Sequence, residues 1–269
     1  MAALVAERLL ARGERPSILS RGYARRDARD GVVVVRDPGG IRADLDRAGD
    51  EPLMLARRLD GVAVLVSSSR YLAGRLAELH FGCTVHVLDD GFQHFDLHRD
   101  TDLVLVAADD LANARTLPAG SLREPIDAAR AADAFVALDG ADASRIAGGR
   151  PVWNARRTLS DVPAGPALAL AGVANPRAFF EAVRAAGCTV AAEMRFPDHH
   201  RYSRTDLTRI TDRARSSGAA TVVTTEKDLV RLLPFRPFPI AIVAVPMTIA
   251  IDQEALFDAW LAGIIEGRS

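Results

Sequence analysis

The stretch TVHVLDDGFQHFDLHRD, residues 84–100, runs a series of β-formers straight into two adjacent carboxylates, Asp89 and Asp90, with Gln93 and His94 close behind. Neighbouring ionised carboxylates repel each other and persist where a cation or a helix N-terminus compensates them. At the end of an apolar strand such a pair is the Walker-B arrangement, in which a carboxylate reaches Mg²⁺ directly or through water beside nucleotide phosphates. The plainer reading is an aspartate N-cap and a turn after a strand. Gln93 and His94 weigh against it, since both are spaced to reach the same crevice.

Other short stretches carry chemistry of the same order. GDEP, residues 49–52, puts Asp50 and Glu51 at a helix entrance with Pro52 in the first turn, a pattern that helix-start preferences alone also favour. FPDHHRY, residues 196–202, sets Asp198, His199 and His200 on a turn, which suits a polar loop, a small metal site or a proton-handling group. LPAGSLREP, residues 117–125, presents Arg123 and Glu124, either as a phosphate-neutralising arginine or as a surface ion pair of little energetic worth. The chain has 34 Lys+Arg, yet Lys227 in TTEKD is its one lysine. An ammonium retained among so many arginines points to a phosphate or carboxylate partner, the alternative being a solvated side chain after a Thr225 helix cap. SRGYARRDARDG, residues 20–31, gathers Arg21, Arg25, Arg26 and Arg29, with Arg36 just beyond. That loop suits anionic lipid headgroups, although Asp27 and Asp30 dilute it and a solvated loop explains it equally.

These groups need a scaffold. Apolar runs at 16–20, 32–35, 62–66, 84–88, 102–107 and 134–138 read as buried strands, with helical patterns at about 51–60, 69–80 and 124–132. Continuous Val/Leu runs alternating with helices specify an α/β fold with a mostly parallel sheet and flanking helices, whose ligands lie beyond the C-terminal strand ends. A Gly/Pro-rich seam, with polar residues around one short strand-like piece, predicts a linker at 151–165 after a first domain of residues 1–150. A second, smaller α/β domain is expected over 166–250, followed by a C-terminal helix over 251–269, capped by Asp252 and packing back on the first domain.

The length of 269 residues allows one large or two smaller cores. A net charge of -1 gives no global basic field for nucleic acid. Cys83 and Cys188 sit in separate apolar runs and read as reduced core residues, consistent with a cytoplasmic setting. No run approaches the roughly 20 apolar residues of a membrane span. Residues 1–12 read as an amphipathic helix ending near Gly13.

LDDGFQH resembles the corresponding segment of tetraacyldisaccharide 4'-kinases, lipid A pathway enzymes that phosphorylate a disaccharide precursor. ILSRGY, GDEP, LPAGSLREP, LAGVANP, FPDHHRY and TTEKD match the same family in the same order along nearly the whole chain. The resemblance implies a P-loop-type kinase domain with a second α/β domain, working with ATP and Mg²⁺ as a peripheral protein at the cytoplasmic face of the bacterial inner membrane. No nucleic-acid or protein partner is implied. The substrate implied is tetraacyldisaccharide 1-phosphate, phosphorylated at its 4'-hydroxyl.

By the same resemblance Asp50 sits at the acceptor hydroxyl with His199 as its partner, and Arg123 neutralises phosphate charge. Asp89 and Asp90 serve the metal, Gln93 and Lys227 the nucleotide, and Glu51, Glu124 and His200 the substrate. One family feature is missing: no G-x-x-x-x-G-K-[ST] string occurs in the 269 residues. That absence predicts an N-terminally truncated chain, poor in recognition of the ATP β- and γ-phosphates, and residues 1–12 resemble the helix after the missing loop. A remnant that binds glycolipid or a partner without chemistry, and a related transferase acting on a small polar acceptor, are the alternatives.

Overall fold

The computed structural model describes residues 1–22, 25, 31–120 and 122–267. Most of the basic 20–31 loop therefore lies outside the described residues. The chain opens with α1 (Ala2–Ala11), which ends at Arg12 and turns through Gly13 at φ +85°. The strands that follow are β1 (Pro16–Ser20), β2 (Val33–Asp37) and β3 (Gly40–Ile41). The short α2 (Leu45–Ala48) and α3 (Asp50–Arg58) lead to β4 (Ala63–Val66), then α4 (Arg70–Phe81) and β5 (Val85–Leu88). These strands form one sheet in the order β3-β2-β4-β1-β5. β1, β4 and β5 are parallel, while β2 and β3 are antiparallel additions at one side. Every residue of β1 and β4 is buried, as a sheet covered on both faces requires.

A second sheet follows. It is built from β6 (Leu103–Ala107), β7 (Ala134–Leu138) and β8 (Val152–Leu159), with α5 (Ala108–Ala112) and α6 (Ser144–Ala147) in the connections. β6, β7 and β8 are parallel. The third unit comprises β9 (Pro166–Ala171), α7 (Pro176–Ala185), β10 (Thr189–Arg195), α8 (Arg204–Ser216), β11 (Thr221–Thr224), α9 (Glu226–Leu232) and β12 (Ile242–Ala244). Its sheet, ordered β10-β9-β11-β12, is parallel throughout. The chain then returns: β13 (Met247–Ile251) adds antiparallel to β8, and α10 (Glu254–Glu266) packs against α1 and β8.

Several expectations are corrected. The helix expected at 124–132 is a short 3-10 helix over Ile126–Ala131, starting directly after Pro125. The expected 151–165 linker contains the full strand β8. There Trp153 and Ala155 point inward while Asn154 and Arg156 point outward, a period of two that the flanking Gly and Pro obscured. Asp252 does not cap α10; its carboxylate accepts from Arg156 at 3.1 Å, and Gln253 takes the cap position. Among the described residues no helix is long and apolar enough to cross a membrane.

Candidate active site

Asp50 enters the first turn of α3 behind Gly49, whose φ of 84° only glycine adopts without strain. The carboxylate is buried, 6% exposed. Its Oδ1 accepts from the Glu51 backbone N–H at 2.9 Å. Its Oδ2 faces His199 Nδ1 at 2.9 Å, across 149 residues of sequence. A carboxylate only accepts hydrogen bonds, so the Nδ1 proton lies on the imidazole. His199 stands in the turn after β10 at φ 53°, a strained backbone for a residue with a Cβ, and its N–H is held by Asp198 Oδ1 at 2.9 Å.

The neighbouring histidine goes elsewhere. The His200 ring stacks on Phe196 at 4.5 Å, and its Nε2 lies 3.2 Å from Asp206 Oδ2. Asp198, His199 and His200 therefore do not converge, and among the described residues no group of His, Cys, Asp or Glu forms a metal cluster.

Behind Asp50 sits a buried polar network. Asp228 accepts from Tyr202 Oη at 2.7 Å, from Thr225 Oγ1 at 2.7 Å and from the Gly172 N–H at 3.1 Å. Burial and the adjacent Asp228 carboxylate hold the Tyr202 phenol far above its ordinary value, so it remains a donor. The Arg231 guanidinium bonds Asp228 Oδ1 at 3.0 Å and approaches Asp50 Oδ2 at 3.6 Å. Further pairs join the two sides: Lys227 Nζ to Glu51 Oε1 at 2.8 Å, Arg58 to Glu226 at 3.5 Å and Arg201 to Asp46 at 3.2 Å. The lone lysine thus meets a carboxylate.

A second group forms at the end of β5. Burial first, and the Glu51 carboxylate second, raise Asp89 to about 6. Asp90 turns outward at φ 52° and pairs with Arg123 at 2.8 Å. The same guanidinium reaches Gln93 Oε1 at 3.4 Å, while Gln93 Nε2 donates to Glu124 Oε1. Asp90, Arg123, Gln93 and Glu124 are thereby one chain linking two motifs, with exposed members at Asp90 and Arg123. A half-buried acid that partial burial and a second carboxylate keep reluctant to ionise fits a divalent cation, and one or two carboxylates suffice for Mg²⁺ when phosphate and water complete the shell.

Two buried arginines escaped the motif reading. Arg70, 3% exposed at the start of α4, donates to the Ser67 and Ser68 carbonyls at 3.1 and 3.4 Å. Among the described residues its Nε has no hydrogen-bond partner. Burial, then Arg21, pulls this guanidinium below its ordinary value, while Asp90 and Asp89 oppose the fall. A cation in a helix's first turn opposes the macrodipole, and that misplaced charge was the available signal. Arg231 gave no such signal, because a basic residue in a last helical turn is ordinary.

A family model described as "Tetraacyldisaccharide-1-P 4'-kinase" matches residues 1–266. The chain is 37% identical over 252 residues to a tetraacyldisaccharide 4'-kinase of Geobacter metallireducens, covering 87% of this chain and 74% of that protein. It is 42% identical over 262 residues to one from Anaeromyxobacter dehalogenans, covering 87% and 68%. Among solved structures, LpxK from Aquifex aeolicus in complex with ATP superposes with a TM-score of 0.78 at 29% identity, covering 98% of this chain and 82% of that one.

Proposed function

The chain belongs to the tetraacyldisaccharide-1-P 4'-kinase family, and from that premise we propose that it transfers the γ-phosphate of ATP to the 4'-hydroxyl of tetraacyldisaccharide 1-phosphate. The observation that carries this reading is the 2.9 Å contact between Asp50 of α3 and His199 of the turn after β10, which brings a carboxylate and an imidazole together across 149 residues. Phosphoryl transfer asks the protein chiefly for positioning and charge stabilisation, plus a group that takes the attacking hydroxyl's proton. The imidazole is the more open member of the pair, 26% exposed against 6% for the carboxylate. In this reading His199 takes the proton, and Asp50 orients the ring and balances its charge.

The remaining residues divide by charge. Asp89 is the carboxylate for Mg²⁺, an ion that when bound would neutralise charge on the transferring phosphate. Asp90 instead holds Arg123 in place beside Gln93 and Glu124. Arg70, buried and under-bonded, suits a phosphate oxygen. Lys227 keeps Glu51 drawn toward α9 and is available to a nucleotide phosphate if that pair parts.

Peripheral contact with the cytoplasmic membrane face is part of the same proposal, because the acceptor is a lipid. Exposed Tyr71, Leu72 and Leu79 on α4 support it.

We also propose that these 269 residues turn over slowly by themselves. They carry no G-x-x-x-x-G-K-[ST] string, the loop whose backbone N–H groups would cradle the β- and γ-phosphates. The test is transfer of labelled phosphate from ATP to detergent-dispersed disaccharide, run beside one of the curated relatives. Asp50→Ala and His199→Ala should each cut turnover by about 10²–10⁴-fold, with ATP affinity near that of the parent chain. Glycolipid binding with no transfer in any preparation would favour a non-catalytic binder. Equal loss of turnover and ATP binding would remove Asp50 from the acceptor side.

A further inference from the structure

Arg231 is buried, 3% exposed, at the end of α9. Its guanidinium meets every loop that shapes the Asp50–His199 pair. Nη2 donates to the Gly172 carbonyl at 2.9 Å, in the loop after β9, and to Asp228 Oδ1 at 3.0 Å. Nη1 donates to the His200 carbonyl at 3.3 Å, one residue beyond His199. Nε donates to the Lys227 carbonyl at 3.2 Å. The same Nε stands 3.6 Å from Asp50 Oδ2, the oxygen that faces His199 Nδ1. One carboxylate oxygen of the first lobe is thus held between an imidazole and a guanidinium of the second.

The charges explain the arrangement. Asp50 and Asp228 are two carboxylates in a buried space, and one guanidinium compensates one of them. These three groups sum to one negative charge, opposite in sign to a protonated His199, whose Nε2 also lies 3.8 Å from Asp198 Oδ2. A planar guanidinium with its donors fixed in a fork can serve Gly172, Asp228, His200, Lys227 and Asp50 together; an ammonium cannot match that spread.

We propose that Arg231 is a positioning residue for the Asp50–His199 pair. It fixes the Asp50 carboxylate and the backbone carrying His199 in one cross-lobe geometry and acts on the acceptor hydroxyl only through them. This inference rests on the reading of the pair as the proton-handling group of the kinase reaction.

The experiment compares the 269-residue chain with its Arg231→Lys and Arg231→Met variants. The first readout is the His199 Nδ1–H proton resonance, assigned by its loss in His199→Gln and in Asp50→Ala. The second is melting temperature, and the third is kcat against KM in the transfer assay. Solvent exchange of the resonance should accelerate at least tenfold in Arg231→Met and less than threefold in Arg231→Lys, which keeps the charge. Turnover should follow, with kcat falling 10–100-fold in Arg231→Met and KM for both substrates within threefold, as a misplaced catalytic group predicts.

An unchanged resonance in a folded Arg231→Met protein would overturn the proposal, as would absence of the resonance from the parent chain. Equal losses of resonance and melting temperature in both variants would reduce Arg231 to a structural tie and overturn it too. If Arg231→Met does not fold, the lysine variant decides, since loss of its resonance at wild-type melting temperature contradicts the rescue by charge. A resonance that responds as expected in a chain transferring no phosphate would leave the positioning role standing and refute the assigned reaction instead.

Discussion

Burial and the Glu51 carboxylate raise Asp89 to about 6, against an ordinary value of 3.8. The folded chain therefore holds this proton more tightly than the unfolded one. Its favourable contribution is complete below pH 4 and is lost as pH rises through 6. Asp89→Asn, which mimics the protonated form, should stabilise the metal-free protein by about 2 kcal/mol at pH 8 and by almost nothing at pH 3.5. Urea unfolding in chelator at the two pH values measures this, and equal effects at both would show that Asp89 ionises normally. The carboxylates at the ends of predicted strands and the acids at predicted helix starts were legible because local chain geometry places them. Arg231 and Arg70 were not, because an arginine is buried by tertiary partners that no spacing announces. The separation of Asp89 from Asp90 was equally hidden: it depends on Asp90 adopting φ 52°, which turns one carboxylate inward and the other toward Arg123.

At the scale of elements, the strands with unbroken apolar runs, β4, β7 and β9, were readable because burial on both faces leaves no polar side chain in them. β13 was not. It is an edge strand with no buried residue, directly after Pro246, with Met247 and Ala250 exposed, and its pairing with β8 brings together residues about ninety positions apart. β8 was legible only as a short strand-like piece, because Arg156 and Arg157 look like linker residues until β13 covers one edge. The connection after β9 packs closely against the buried network around Asp228. A Cβ on Gly172 would lie 2.9 Å from Asp228 Oδ1 and 3.2 Å from both the Pro197 carbonyl and Tyr202 Oη. Gly172→Ala should therefore destabilise the chain by about 1–3 kcal/mol, because hydrogen-bonded backbone and a buried carboxylate must shift together. Its effect on turnover should exceed that of Gly263→Ala, where an added Cβ meets nothing within 4 Å. Thermal melts and transfer rates of the two variants measured side by side check both statements.

At the scale of the whole molecule, the chain is closed by its own end. α10 carries Phe257, 1% exposed, edge-on to Trp153 at 5.2 Å, with Trp260 4.8 Å from the same indole. Leu261 joins Leu9 and Val85, so one helix touches α1, β5 and β8 at once. Arg8 adds ion pairs to Glu254 and Asp258, both partly solvated and worth little beside the aromatic packing. The third unit, residues 166–245, has its own apolar clusters on both sides of its parallel sheet and meets the rest mainly through α3, α9 and the charged pairs around Asp50. Phe257→Ala should cost about 3–5 kcal/mol, the usual range for deleting a buried phenyl group that leaves a cavity. The loss should be local. Hydrogen exchange should show α10, β13 and β8 losing protection together while β9 and β11 retain theirs, because the apolar clusters of the third unit contain no residue of α10. Uniform loss of protection across β9 and β11 would instead mean that the two halves unfold as one cooperative unit, with the interface around Asp50 and Arg231 as the coupling between them.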